Sequence, residues 1–138
     1  MQAVVDQLLL MPIFEGVDRA QLERVVQHSE VIDEPAATSI THEGRYEGYF
    51  FVVLDGAVEI TRAGRHIDTV EPGGFFGEVA LIDGGPRTAT AVSQGACRVL
   101  AVANREFTEL MDTSPPLRDA VMAAMDERLR VIDAETPA

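Results

Sequence analysis

A hairpin signal in the middle of the chain constrains the fold more than any other feature. The strand-like run YFFVVL (residues 49–54) is followed at once by Asp55-Gly56 and by a second run, AVEIT (57–61). Two apolar runs joined by Asp-Gly predict a tight antiparallel hairpin, because this dipeptide tolerates the positive φ angles of the turn. Residues 62–64 predict a second turn, which leads into RHIDTV (65–70).

Two further short runs, ATAV (89–92) and CRVLAVA (97–103), continue the series of strands. Strands this short, separated by regular turn signals, are typical of a β-sandwich or small barrel. Apolar residues recur at helical spacing before and after them. We therefore expect one domain of 1–138, with N-terminal helices over 1–28, a β zone over 29–103 and C-terminal helices over 104–134.

Capping residues predict where these helices begin. Asp18 with Gln21 predicts a capping box, and Asn104 is expected to cap the first C-terminal helix. Ser114 is expected to cap the next helix, with Pro115 in its first position. That last helix carries a wide apolar face: Leu117, Val121, Met122, Met125, Leu129 and Ile132.

Composition excludes several classes of protein. Asp and Glu number 23 against 11 Lys and Arg, a net charge of -12, and no basic cluster is present that could neutralise the phosphates of a nucleic acid. The longest apolar run, residues 8–14, is too short to cross a membrane, and no basic segment precedes it. The single Cys97 is expected to be a small buried residue. We expect a cytoplasmic protein that binds neither nucleic acid nor membrane by itself.

The segment 73–92, GGFFGEVALIDGGPRTATAV, differs from ordinary strand and turn. Glycine pairs bracket EVALID, which predicts a short helix entered through Gly77, and the free N–H groups at such a helix start favour anions. Arg87 offers a planar fork for a phosphate, and Glu78 offers an acceptor for a hydroxyl. Together they predict a site for a sugar phosphate. The alternative is that Glu78 and Arg87 simply pair with each other. Arg87→Ala is expected to distinguish the two, since a binding role leaves the melting temperature of the free protein nearly unchanged.

The run FGEVALIDGGPRTATAV resembles the phosphate-binding cassette of the cyclic nucleotide-binding domain family. The resemblance extends over nearly the whole chain, and it implies a mostly β fold: an eight-stranded jelly-roll β-roll with N-terminal helices and two C-terminal helices. One departure is Arg45 in HEGR, where the family often has Asp. The resemblance places that position a turn away from the ligand.

Carried over position by position, the resemblance implies a ligand, cAMP or cGMP, and no further cofactor or metal. Glu78 would accept from the ribose 2′-hydroxyl, Arg87 would pair with the cyclic phosphate, and the amides near Ala80 would complete the anion site. Thr88 leaves the choice of base undecided. The ligand-binding residues implied are Phe76, Gly77, Glu78, Val79, Ala80, Leu81, Pro86, Arg87, Thr88 and Ala89.

The expected function is a regulatory module without catalytic activity that transmits its ligand state through the C-terminal helices to an effector protein. The C-terminal helix could also form a homodimer, and the chain is either free-standing or a fragment of a longer protein. Two alternatives stay open. One is a cupin-type metal enzyme, although the three histidines are scattered and are expected to be exposed or hydrogen-bonded. The other is a structural or oligomerisation protein of the same architecture that binds no nucleotide.

Overall fold

The computed structural model describes residues 1–135. The helices are α1 (Gln2–Leu9), α2 (Arg19–Gln27), α3 (Glu78–Asp83), α4 (Asn104–Thr113) and α5 (Pro115–Glu135), with a 3₁₀ turn at Pro12–Phe14. The strands are β1 (Glu30–Glu34), β2 (Ser39–Thr41), β3 (Tyr49–Asp55), β4 (Val58–Arg62), β5 (Arg65–Val70), β6 (Phe75–Phe76), β7 (Thr90–Ser93) and β8 (Cys97–Ala103).

The eight strands form two four-stranded antiparallel sheets. One sheet has the order β1-β8-β3-β6, and the other has the order β2-β7-β4-β5. The predicted β4–β5 hairpin is present, but the predicted β3–β4 hairpin is wrong, because the chain passes at Asp55-Gly56 from one sheet to the other and β4 pairs with β5 and β7 instead. The expected helix-flanked eight-stranded roll is therefore confirmed, while β1, β2 and β6 were not foreseen as strands.

Strand β3 explains why the sequence YFFVVL is apolar without alternation. Phe50, Val52 and Leu54 point into a core formed with the helices. Phe51 and Val53 point into a second core between the two sheets. Successive side chains of a strand face opposite sides, so a strand covered on both faces must be apolar throughout.

Helix α5 contributes to both cores, because it contacts α4 and the 3₁₀ turn as well as β5 and α3. Its first half supplies Leu117 and Val121 to the core formed with the helices. Ile132, about three turns beyond Val121, belongs to the core between the sheets. Met122, by contrast, is 39% exposed. The apolar face of this helix is thus largely covered by its own domain.

The cap predicted at Asp18 is confirmed without its capping box, and the cap predicted at Asn104 is wrong. Asp18 accepts from the amide of Gln21 at 2.9 Å, but the Gln21 side chain donates to Thr113 Oγ1 and does not complete a capping box. Asn104 is the first residue of α4, and its N-cap, Ala103, makes no side-chain bond. Ser114 does accept from the amide of Leu117, as expected for a cap.

Candidate functional site

The site is organised by the sharp turn between β6 and α3. Gly77 lies at this turn with φ of 91° in the left-handed region. A Cβ atom there would lie 2.8 Å from Nη1 of Arg87 and 2.9 Å from the carbonyl oxygen of Tyr49. Both the backbone conformation and the close approach of Arg87 therefore require glycine. The predicted short helix EVALID follows directly as α3.

A pocket lies between α3, the segment 87–89 directly before β7, and α5. Its space of about 430 Å³ includes space that is open to solvent. All predicted ligand-binding residues line it except Leu81, which packs against the helical core, and Pro86, which borders a neighbouring concavity. The pocket residues are Thr41, Ile60, Ile67, Phe76, Gly77, Glu78, Val79, Ala80, Arg87, Thr88, Ala89, Arg128 and Ile132.

Arg87 is buried at the inner end of the pocket, with 4% of its surface exposed. Its Nη1 donates to the carbonyl of Gly77 at 2.7 Å, and its Nη2 donates to the carbonyl of Tyr49. Its Nε is buried without an acceptor, 3.9 Å from Oε1 of Glu47. Burial lowers the pKa of Arg87, and the nearby Glu47 and Glu78 carboxylates act in the opposite direction.

Glu78 pairs with Arg128 of α5. The carboxylate oxygen Oε1 accepts from Arg128 Nη1 at 2.6 Å, and the Glu78 side chain is 1% exposed. The other oxygen, Oε2, is buried without a partner. Glu78 and Arg87 do not form the ion pair that was the alternative to a binding site. Glu78 pairs with Arg128, and Arg87 donates to two backbone carbonyls. A buried acceptor atom is thus left free beside the pocket.

Arg128 ties the last helix to the roll through three acceptors. Besides Glu78, its Nε contacts Asp68 Oδ2 at 3.1 Å and its Nη2 donates to the carbonyl of Phe75 at 2.7 Å. Its guanidinium also lies over the Phe75 ring, 5.5 Å from the centroid. Sequence reasoning missed this residue. The available signal was its position, because Val121, Met125, Arg128 and Ile132 share one face of α5, where a cation is out of place unless it has a buried partner.

The loop before β3 lies directly against Arg87. The amide of Gly44 donates to the carbonyl of Arg87 at 2.8 Å, and the amide of Arg87 donates to the carbonyl of Arg45 at 2.7 Å. The departure at Arg45 is therefore in main-chain contact with the cassette, closer than the resemblance suggested. The Arg45 side chain itself is exposed.

Among the side chains that the structure describes, those of residues 1–82 and 84–134, no cluster of three or more His, Cys, Asp or Glu has a geometry that could hold a metal ion. The histidines were predicted to be exposed or hydrogen-bonded. His66 is exposed and contacts Glu59, whereas Nδ1 of His42 is buried without a partner, so the prediction is wrong for His42. No helix in this part of the chain is long and apolar enough to cross a membrane.

The fold and pocket define a helix-flanked β-roll whose internal site holds one buried guanidinium and one buried carboxylate. Comparison with known proteins identifies the class. A family model for the cyclic nucleotide-binding domain matches residues 34–114, more than half of the chain. The protein belongs to the cyclic nucleotide-binding domain family.

Among curated relatives, a cyclic nucleotide-gated potassium channel of Mesorhizobium japonicum is 30% identical over 118 residues, covering 86% of this chain and 33% of the channel. The chain spans only about a quarter to a third of the length of the first curated relatives that it matches.

Solved structures show the same fold at lower identity. The cAMP-bound PfPKA-R superposes with a TM-score of 0.85 at 24% identity, over 96% of this chain and 46% of that one. The regulatory subunit of a cAMP-independent protein kinase A from Trypanosoma brucei gives a TM-score of 0.83 at 14% identity, over 98% of this chain and 51% of that one. At such identities the likeness concerns the fold alone.

Proposed function

We propose that this protein binds a cyclic mononucleotide, cAMP or cGMP, and acts as a regulatory module without catalytic activity. The observation that carries the proposal is the meeting of Arg87 and Glu78 in one pocket at the start of α3. A guanidinium suits a cyclic phosphate, and a carboxylate with a free buried oxygen suits a ribose hydroxyl. The first amides of α3, including that of Ala80, supply further donors.

The same contacts give a route from ligand to output. A ribose hydroxyl that donates to Oε2 of Glu78 draws negative charge from the carboxylate whose Oε1 accepts from Arg128, and so weakens that contact. Because Arg128 fastens α5 to the roll, weakening this contact changes the equilibrium between docked and released helix. The ligand can shift that equilibrium only by its difference in affinity for the two states. We infer that α5 passes the ligand state to an effector protein, still to be identified, in the cytoplasm.

A homodimer through α5 stays a prediction, and the structure leaves fewer exposed apolar residues on this helix for a dimer contact than the sequence suggested. Leu117, Val121 and Ile132 are buried in the domain itself, which leaves Met122 as the exposed apolar residue of this face. Sedimentation velocity at high protein concentration, with and without cAMP, tests it: a monomer under both conditions rejects the dimer.

Calorimetric titration with cAMP and cGMP tests the proposed function. Because the regulatory subunit from Trypanosoma brucei belongs to a protein kinase A described as cAMP-independent, the fold alone does not specify the ligand and binding must be measured. Ligand at a hundredfold its dissociation constant should stabilise the fold by about 2.7 kcal/mol, so thermal unfolding gives an independent measure. Absence of both heat and thermal shift with millimolar cAMP and cGMP would refute the proposal.

Arg87→Lys is the variant of choice for this test. The sequence alone predicts that Arg87→Ala leaves the stability of the free protein nearly unchanged. The structure predicts a loss of stability instead, because Arg87 is buried and donates to two backbone carbonyls. Lys keeps the charge and loses the planar fork. We expect it to weaken cyclic nucleotide binding by about tenfold or more, roughly the loss of one charge-assisted hydrogen bond.

A further inference from the structure

Glu47 stands apart from the residues that line the pocket, yet its charge is the one closest to Arg87. Its Oε1 lies 3.9 Å from the buried Nε of Arg87. The same oxygen accepts a hydrogen bond from the amide of His42 at 3.0 Å, which fixes the carboxylate in place. The Glu47 side chain is 26% exposed, so water screens its charge only in part.

Around the pocket the two cations Arg87 and Arg128 face three carboxylates, so the site has no excess of positive charge before a ligand binds. Arg128 is matched by Glu78 and Asp68, both in contact with it. Arg87 is the cation left for a ligand, and Glu47 compensates part of its charge. The carbonyl oxygens of Gly77 and Tyr49 also point at this guanidinium, adding negative partial charge at the same place.

An anion that binds Arg87 must therefore enter a region where a fixed negative charge lies behind the guanidinium. Arg87 can meet one negative charge of the ligand, while a second is repelled by Glu47 without a further cation to meet it. A phosphodiester carries one charge, whereas a phosphomonoester carries about 1.5 to 2 charges near neutral pH. The ligand's second charge interacts with Glu47 over several ångströms in a partly buried site, where the effective dielectric constant is far below that of water.

We propose that Glu47 is a specificity-determining residue that makes the pocket favour a singly charged cyclic phosphodiester over a doubly charged nucleoside monophosphate. The inference rests on the proposed function and adds to it the reason for rejecting the monoester. Glu47 acts through the charge that it places behind Arg87, without touching the ligand.

The affinities of cAMP and 5′-AMP are to be measured by calorimetry at pH 8 and low salt for the wild type and three variants. Glu47→Gln removes the charge but keeps an oxygen that can accept from the amide of His42. Glu47→Asp keeps the charge. Glu43→Gln is the matched control, because Glu43 lies in the same loop and bonds the amide of Ala63 and Thr90 Oγ1, away from the guanidinium.

We expect Glu47→Gln to lower the preference for cAMP over 5′-AMP by about tenfold, the effect of one screened charge at this range. Glu47→Asp and Glu43→Gln should leave this preference within about twofold of the wild type. The difference in shape between the two ligands cancels because the comparison is of ratios between variants. Glu47→Ala, a second neutral variant, should repeat the result if Glu47→Gln folds poorly.

The inference is overturned if the ratio of the affinities for cAMP and 5′-AMP is unchanged in both neutral variants. If both affinities fall by the same factor, the role of Glu47 is merely structural. These outcomes leave the proposed function intact, since the wild type still binds cAMP. Failure of the wild type to bind either cyclic nucleotide refutes the proposed function instead, and the inference with it.

Discussion

Replacing Arg128 with Met is the most direct test of how the last helix is held. The substitution keeps a long unbranched side chain on α5 and removes every contact that depends on the guanidinium. These contacts are the ion pair with Glu78 at 2.6 Å, the contact with Asp68 at 3.1 Å and the bond to the Phe75 carbonyl at 2.7 Å. We expect a large loss of stability, because Glu78 is left buried without its cation.

The magnitude follows from burial. The side chains of Arg128 and Glu78 are 13% and 1% exposed, and removal of one partner from such a pair costs roughly 3–5 kcal/mol. The contact with Asp68 adds little, since that side chain is 42% exposed and such pairs contribute about 0–1 kcal/mol. We therefore expect a loss of about 3 kcal/mol, which for a domain of this size lowers the melting temperature by roughly 10 °C.

The control lies two residues along the same helix. Arg130 forms an ion pair with Glu127 at 3.0 Å, but the two side chains are 74% and 61% exposed. Arg130→Met should therefore change stability by less than about 0.5 kcal/mol. Urea unfolding of both variants, with Glu78→Gln and the double variant Glu78→Gln/Arg128→Met, gives the coupling energy of the buried pair, expected near 2 kcal/mol.

Two results would refute this reasoning. If Arg128→Met costs no more than Arg130→Met, the contacts of Arg128 with the roll do not hold α5. If the double variant is additive within about 0.5 kcal/mol, Glu78 and Arg128 are not coupled. In either case Glu78 could not transmit the state of the pocket to the last helix.

Two further predictions concern a glycine and the cysteine. In urea unfolding, Gly77→Ala should destabilise the protein by at least about 1 kcal/mol more than Gly84→Ala. Both glycines have positive φ, but of the two only Gly77 has atoms within 3.0 Å of the position that the added Cβ would take. Equal losses of stability would show that the approach of Arg87 and Tyr49 is not tight. Burial raises the pKa of Cys97, with Glu34 and Asp55 adding to the shift. Because its pKa is raised, the Cys97 thiol stays neutral in the folded protein at pH values where it ionises in the unfolded chain. The stability that the neutral thiol contributes is complete below the ordinary thiol pKa and is lost as the pH rises through the pKa of the folded protein. Unfolding curves between pH 7 and 10 should show a smaller loss for Cys97→Ala than for the wild type, and identical losses would contradict the assignment.

How far the sequence predicts this site depends on the distance along the chain between its parts. Gly77, Glu78 and Arg87 lie within one short segment, and the glycine turn with its short helix brings them together by local geometry alone. Sequence reasoning therefore placed them near one pocket. Arg128 lies 50 residues beyond Glu78, and its contact depends on how α5 crosses the roll, which no local pattern specifies.

The same limit explains which strands were foreseen. The runs that became β3, β4, β5, β7 and β8 all contain β-branched residues and are bounded by turns. β1 carries Glu30, Asp33 and Glu34 and lies at a sheet edge, where burial imposes little pattern on a strand. β6 has only two residues, too few for any periodicity. Pairing with β3 makes it a strand, and that pairing is a tertiary contact.

The net charge of -12 does not exclude a site for a small anion, because few of the charges act at the pocket. Charges on the surface are screened by salt within about 8–10 Å, and several are paired there, as Arg98 with Asp33 and Arg19 with Asp6. Arg87 is buried, so water and salt weaken its field far less. The few charges around the pocket therefore outweigh the many on the surface. A change of one charge there, at Glu47, should matter more to the ligand than a change of several on the outer face.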